Sequence, residues 1–81
     1  MVVGYQRFEN MYSLGSYIWV YPSLAEAKSA CNADDECGSI TDSQWIRNGT
    51  KMHDWRTLKG IELKPSIKGR SSWVKLNFSK F

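Results

Sequence analysis

The sequence predicts a small α+β domain in which one helix packs on a curved antiparallel sheet of about five short strands. Two observations around Ser23–Gly38 carry this prediction. A capped helix begins at Ser23 and carries Cys31, and an acidic loop then leads to Cys37 at the start of a strand. Elsewhere, short apolar stretches are separated by turn residues, which is typical of short strands. This arrangement favours a disulfide between the helix and the strand.

The helix has a clear start signal and one apolar face. Ser23 and Glu26 form an S-x-x-E capping box, in which each side chain can satisfy a backbone N–H of the first turn. Leu24, Ala27 and Cys31 follow at the spacing that places side chains on one side of a helix. This face is expected to pack on the sheet.

The length of 81 residues predicts one domain covering residues 1–81. A chain of this size buries only about 60% of its unfolded surface, so its core is small. Aromatic residues make up 14% of the sequence, and most are expected in that core. We assign Trp19 and Trp73 to the core, and any aromatic side chain left on the surface would indicate a binding site.

The two cysteines leave two interpretations open. The even count and the helix–loop–strand setting favour a Cys31–Cys37 disulfide formed in an oxidising compartment, whereas a cytosolic protein would keep two reduced, buried thiols. Zinc is not expected, because His53 is the single histidine that could join two thiolates. The sequons at Asn48 and Asn77 are possible N-glycosylation sites and fit a secreted chain.

Strands are predicted on both sides of the helix. The longest apolar run, Tyr17–Tyr21, is predicted as a buried strand that ends at Pro22. Residues 42–44 are predicted as a turn, and Asn48-Gly49 is the strongest tight-turn signal in the chain. The other predicted strands are Tyr5–Phe8, 11–14, 38–41, 45–47, 51–58, 61–64 and 71–78.

Targeting and membrane signals are absent from the sequence. The first eight residues lack the continuous apolar region of a signal peptide, so an extracellular protein would have lost its leader. No apolar run approaches the roughly 20 residues that a membrane-spanning helix needs. We expect an extracellular chain with no membrane span.

The order of these motifs resembles PAN/apple-type domains. A helix followed by Cys-x5-Cys-Gly is similar to their core, in which a disulfide links the helix to the central sheet. Residues 55–60 (W-R-T-L-K-G), 63–66 (L-K-P-S) and 72–75 (S-W-V-K) are similar to the later strands of an invertebrate and microbial branch. The resemblance covers residues 17–76, although the chain lacks the further cysteines of typical apple domains. It implies a non-catalytic adhesion module that recognises proteins or carbohydrates.

A carbohydrate site needs a flat aromatic face beside planar polar groups, and one predicted hairpin offers both. Trp45 is the best candidate for an exposed aromatic, because a turn and polar residues surround it, and Tyr17 and Tyr21 could extend the surface. Burial in the core remains the competing interpretation for every tryptophan. The candidate ligand-binding residues are Trp45, Arg47, Asn48, Asp54, Trp55 and Arg56.

Charge suggests an alternative function. Residues 1–50 hold three Lys/Arg and six Asp/Glu, whereas residues 51–81 hold eight and two. If the two halves form separate faces, copies could associate head to tail as a structural subunit of a filament, matrix or virion coat. Strand pairing that interleaves the halves would erase this asymmetry. The basic residues follow no nucleic-acid-binding motif, so nucleic acid is not an expected partner.

Catalytic and metal-binding patterns are weak. His53 and Asp54 are adjacent, and adjacent residues of a strand point to opposite faces, which argues against a shared catalytic role. The acidic run Asp34-Asp35-Glu36 lacks the alternating order of a calcium loop. We therefore predict no enzyme, no metal and no cofactor.

Overall fold

The computed structural model describes residues 4–76 and contains one helix and seven strands within them. The helix α1 spans Leu24–Asn32 and lies between the third and fourth strands. The strands are β1 (Tyr5–Phe8), β2 (Met11–Ser13), β3 (Tyr17–Tyr21), β4 (Cys37–Arg47), β5 (Thr50–Lys59), β6 (Leu63–Pro65) and β7 (Ser72–Lys75).

Five strands form one antiparallel sheet in the order β1-β7-β4-β5-β3, and β2 and β6 pair separately as a two-stranded ribbon. This confirms the predicted α+β fold with one helix and a five-stranded antiparallel sheet. The predicted strand at residues 71–78 is observed as Ser72–Lys75, and its last two residues, Asn77 and Phe78, lie outside the described residues.

The Ser23 half of the predicted capping box forms at the start of the helix, and the Glu26 carboxylate bonds the Ser23 hydroxyl instead of the Ser23 backbone N–H. The Ser23 hydroxyl oxygen accepts the Glu26 N–H at 3.2 Å, and the hydroxyl donates to the Glu26 carboxylate at 2.9 Å. Ala27 and Cys31 are fully buried on the face that packs on the sheet. The disulfide between Cys31 and Cys37 is present and ties the end of the helix to β4.

The buried side chain of Lys75 forms a second connection between the C-terminal end of the helix and the sheet. The Lys75 ammonium donates to the carbonyl oxygens of Cys31 at 2.6 Å and Asp34 at 3.2 Å. Cations favour the C-terminal end of a helix, where carbonyl groups lack helical partners. Burial lowers the pKa of Lys75, while the nearby carboxylates of Asp34 and Asp35 oppose that shift. The last strand therefore holds the helix end by charge-assisted hydrogen bonds.

The two faces of the sheet have different coverings. On one face, here called the helix face, Ile40 forms a buried cluster with Ala27 and the disulfide, and Trp55 and Trp73 pack against that cluster. Because side chains alternate along a strand, the neighbours of Ile40 point to the opposite face, here called the ribbon face. Trp73 is half-buried in this arrangement, as its core assignment requires.

The ribbon packs on the sheet through hydroxyl groups. The Ser13 N–H donates to Thr41 Oγ1 at 3.0 Å, and the Ser39 hydroxyl donates to Ser13 Oγ at 2.8 Å. The Ser72 hydroxyl donates to the Met11 carbonyl, and the hydroxyls of Thr41 and Ser72 are 2.8 Å apart. Because Ser72 has already used its hydrogen, Thr41 is the donor in that pair. This second core is polar and fully hydrogen-bonded rather than apolar.

The turn predicted at residues 42–44 is wrong, because β4 continues through them without a break. The Asp42 carboxylate accepts the Ser71 N–H at 2.9 Å, and the Asp42 N–H donates to the Ser71 carbonyl at 3.0 Å. Polar groups that indicated a turn are instead satisfied across the sheet. The result is one long strand that pairs with β5 as far as Arg47.

The core assignment of Trp19 is also wrong, since 60% of this residue is exposed. The run Tyr17–Tyr21 is an edge strand rather than a buried one, and it pairs with β5 alone. A β-bulge between Tyr17 and Trp19 shifts the register and lets Ile18 pack against the core instead.

The sheet interleaves the acidic and basic halves of the sequence. Its order alternates strands from residues before position 50 (β1, β4 and β3) with strands from the later residues (β7 and β5). Separate acidic and basic faces do not follow from this topology. Among residues 4–76 no helix is long and apolar enough to cross a membrane.

Candidate functional site

The long strands β4 and β5 extend beyond the sheet as a two-stranded hairpin. β7 pairs with β4 only over Ser39–Thr41, and β3 pairs with β5 only over 55–58. Beyond these contacts the strands pair with each other, and every residue from 44 to 53 is exposed. The hairpin therefore presents both of its faces to solvent.

The turn at the tip fixes the register of the hairpin. Asn48 and Gly49 both have positive φ angles, 50° and 78°, as a type I′ turn requires. Glycine adopts this conformation without strain, and asparagine tolerates it better than most residues. Arg47 is consequently paired with Thr50, and the pairing continues without a slip toward the base of the hairpin.

One cross-strand pair dominates the ribbon face of the hairpin. Trp45 lies opposite Met52, and 41% of the tryptophan is exposed. Arg47 lies on the same face toward the tip, because it follows Trp45 by two residues. This end of the face combines a flat aromatic ring, a thioether and a guanidinium group.

Toward the base, the ribbon face becomes a shallow groove. Asp54 and Arg56 line it from β5, and Tyr17 and Val20 line it from β3. Tyr17 is 53% exposed, so a second aromatic ring borders the groove. Asp54 Oδ1 is buried and has no hydrogen-bond partner among residues 4–76. Because Asp54 Oδ1 is buried, the group that the groove offers to a ligand is the Arg56 guanidinium, which can donate several hydrogen bonds.

The helix face of the hairpin is built differently. The His53 ring stacks on Trp55, with ring centroids 4.1 Å apart and planes inclined by 28°. His53 Nε2 is 3.5 Å from a carboxylate oxygen of Asp42, whose other oxygen accepts the Ser71 N–H. Trp55 packs against the core, and its indole N–H is buried with no partner among the described residues. Trp55 therefore contributes to packing of the core rather than to an exposed binding surface.

The structure brings together four of the six predicted site residues. Register and strand alternation place Trp45, Arg47, Asp54 and Arg56 on the ribbon face. Trp55 lies on the opposite face, so the two tryptophans do not form one platform. Asn48 lies at the exposed tip, where the sequon is accessible to solvent, and the second sequon residue, Asn77, lies outside the described residues.

Sequence reasoning missed Met52 and Val20 as members of this surface. A signal for Met52 was available, because a two-residue Asn-Gly turn pairs the residues on either side of it one by one and sets Trp45 opposite Met52. Val20 could not be found in the same way, since its position depends on long-range pairing with Arg56.

Polar groups of the acidic loop after the helix form hydrogen bonds within the protein. Asp34 Oδ1 accepts the Glu36 N–H at 2.9 Å, and the Asp34 carbonyl accepts hydrogen bonds from Cys37 and Lys75. Within residues 4–76 no group of three or more His, Cys, Asp and Glu side chains is arranged to hold a metal ion. His53 and Asp54 pair with different residues of β4 and point to opposite faces.

Comparisons with protein-family models, with curated proteins and with solved structures found no match to this chain. The geometry of the hairpin is therefore the basis of the function proposed below.

Proposed function

We propose that this chain is a non-catalytic extracellular recognition module that binds carbohydrate through the ribbon face of its hairpin. The observation that carries the proposal is the shared face of Trp45, Arg47, Asp54 and Arg56, with Tyr17 at its far end. An exposed strip of this composition on a small domain is typical of a binding surface.

The chemistry of the strip fits a sugar chain. An exposed indole ring offers an apolar plane for the C–H face of a sugar, while its neighbours supply hydrogen bonds to hydroxyl groups. Asp54 and Arg56 line this part of the strip, and the Arg56 guanidinium is a planar donor of several hydrogen bonds. Trp45 and Tyr17 lie at the two ends of this polar region, so an extended ligand can contact both.

Two further observations support an extracellular setting. The Cys31–Cys37 disulfide is characteristic of proteins that fold in an oxidising compartment. The order of helix, disulfide and sheet also supports the proposed likeness to PAN/apple domains, whose members are adhesive modules.

The alternative of a structural subunit held together by opposite charges has weaker support. Head-to-tail attraction needs an acidic face and a basic face, and the sheet alternates strands from the two halves of the sequence.

The proposal is tested with a glycan array probed by the oxidised protein, followed by solution titration of any sugar that binds. Trp45→Ala should abolish binding, because it removes the aromatic plane. The matched control is Ile46→Ala, which removes a 75% exposed side chain from the opposite face of the same hairpin and should leave binding unchanged. A blank array, or equal losses in both variants, would reject the carbohydrate site.

A further inference from the structure

A cavity of about 380 Å³ lies where the ribbon meets the loop that joins β6 to β7, and it is here called the loop cavity. Small-molecule sites in proteins start at about 300 Å³, so the loop cavity is large enough for a small ligand. It shares no residue with the hairpin site described above. Its lining combines apolar and cationic side chains, namely Tyr12, Pro65, Ser66, Ile67, Lys68 and Arg70.

The apolar part of the lining is suited to the face of a ring. Tyr12 contributes an aromatic ring and Pro65 an aliphatic one, and these residues lie on the two paired strands of the ribbon. Ile67, in the loop, is fully exposed. A ligand that covers these side chains gains free energy, because it removes apolar surface from water.

The two cations of the lining have no acidic partner. Among residues 4–76, neither the Lys68 ammonium nor the Arg70 guanidinium forms an ion pair or a hydrogen bond. Asp42 borders a neighbouring cavity together with both cations, but its carboxylate oxygens interact with the Ser71 N–H and with His53. Two unpaired cations beside an apolar wall favour a ligand that carries an anionic group.

Hydrogen bonds hold the backbone that carries these cations. Ser66 Oγ accepts the backbone N–H groups of Lys68 and Arg70, both at 3.3 Å, and the Ser66 carbonyl accepts the Gly69 N–H at 3.4 Å. The Ser66 N–H in turn donates to the Asn10 carbonyl at 2.8 Å, which anchors the loop to the turn before β2. Because Ser66 Oγ accepts in both of its bonds, its own hydrogen is available to a ligand. A backbone held in this way lowers the entropic cost of binding.

We propose that the loop cavity binds a single ring that carries a carboxylate or sulfate group. The ring packs on Tyr12 and Pro65, and the anionic group accepts hydrogen bonds from Lys68, Arg70 and the Ser66 hydroxyl. Sugar acids and aromatic acids share this chemistry. The site is separate from the proposed carbohydrate site on the hairpin, so either can be present without the other.

The test is an NMR titration of the oxidised full chain with two matched pairs of probes. Glucuronate is compared with glucose, and benzoate with benzyl alcohol, so that each acid has a neutral partner. The amide signals of residues 66–70 should shift with at least one acid and not with its neutral partner, and added salt should weaken the binding. The acid that binds shows whether the ring is a sugar or an aromatic. No shift with either acid, or equal shifts with an acid and its neutral partner, would overturn the proposal.

Substitutions of the two cations give a second readout. Arg70→Gln and Lys68→Gln should each weaken binding of the acid about tenfold, because each removes a charge-assisted hydrogen bond. Both variants should fold as the wild type does, since neither charged group has a partner within residues 4–76. Lys51→Gln, which removes the same charge from an exposed position of the hairpin, and Trp45→Ala should bind the acid normally. Unchanged affinity in the two loop variants, or an equal loss in Lys51→Gln, would contradict the site.

Discussion

Trp45 and Trp55 lie on opposite faces of the hairpin formed by β4 and β5, although the sequence suggests one shared platform. Trp45 is exposed beside Met52, whereas Trp55 packs against the core and under the His53 ring. One tryptophan of the hairpin thus lies at the surface, and the other contributes to the core.

Alanine substitution of the two tryptophans should have different effects on the free energy of unfolding. Trp45→Ala should change the free energy of unfolding by no more than about 0.5 kcal/mol, as expected for a surface position. Trp55→Ala should lower it by about 3 kcal/mol, because it removes a large side chain packed on the core. Urea unfolding of both variants measures the difference, and equal losses would show that the faces are assigned wrongly.

The hydroxyl network between the ribbon and the sheet should be sensitive to a nearly isosteric change. Thr41→Val keeps the shape of the side chain but leaves the Ser13 N–H without its acceptor in a buried position. We expect a loss of about 1–3 kcal/mol in the free energy of unfolding. Thr50→Val, at an exposed position beside the turn, is the control and should change stability little. Identical unfolding curves for the two variants would contradict a role for the network.

Removal of the disulfide should destabilise the domain without changing its fold. The double variant Cys31→Ala, Cys37→Ala frees the loop between the helix and β4, and we expect a loss of about 2–3 kcal/mol. Thermal unfolding followed by circular dichroism should show a lower Tm with a similar native spectrum. An unchanged Tm would mean that the bridge adds nothing to stability.

Alkaline pH should weaken the contact between β1 and the helix. The Tyr5 hydroxyl donates to Asn32 Oδ1 at 2.6 Å, and burial raises the pKa of this phenol from 10.0 to about 12. Between these pH values the unfolded chain releases a proton that the folded chain retains, so the Tyr5 contribution to stability falls as the pH rises. Below pH 10 the contribution is complete.

Comparison with Tyr5→Phe isolates this effect, because the other titrating groups are common to both proteins. Lys75 contributes with the opposite sign: burial lowers its pKa, so stability rises with pH up to about 10.5 in both chains. The wild type should lose stability relative to the variant above pH 10. A constant difference between the two stability curves across this range would refute the assigned pKa shift.

Local signals in the sequence predicted the helix, its cap and the hairpin turn correctly. The capping residues Ser23 and Glu26 act within one helical turn, and Asn48-Gly49 determines its turn from two residues. The fold class followed from these local elements, because one helix and several short strands have few ways to cover one sheet.

Positions that depend on long-range pairing could not be predicted in the same way. Residues 42–44 carry turn-forming side chains, and their place in a strand depends on Ser71, which is distant in sequence. Trp19 is apolar, yet its exposure follows from the place of β3 at the sheet edge and from the adjacent bulge. The separation of Trp45 from Trp55, by contrast, was predictable, because the turn sets Trp45 opposite Met52 and Trp55 follows Met52 by three residues in the same strand, on the other face.

The most direct test of the proposed carbohydrate site is residue-by-residue NMR of the oxidised protein during titration with an oligosaccharide identified on the array. We expect the signals of Trp45, Arg56 and Tyr17 to shift with one common affinity, while those of His53 and Trp55 on the opposite face stay in place. Shifts confined to His53 and Trp55, with Trp45 unmoved, would contradict the assignment of binding to the ribbon face of the hairpin.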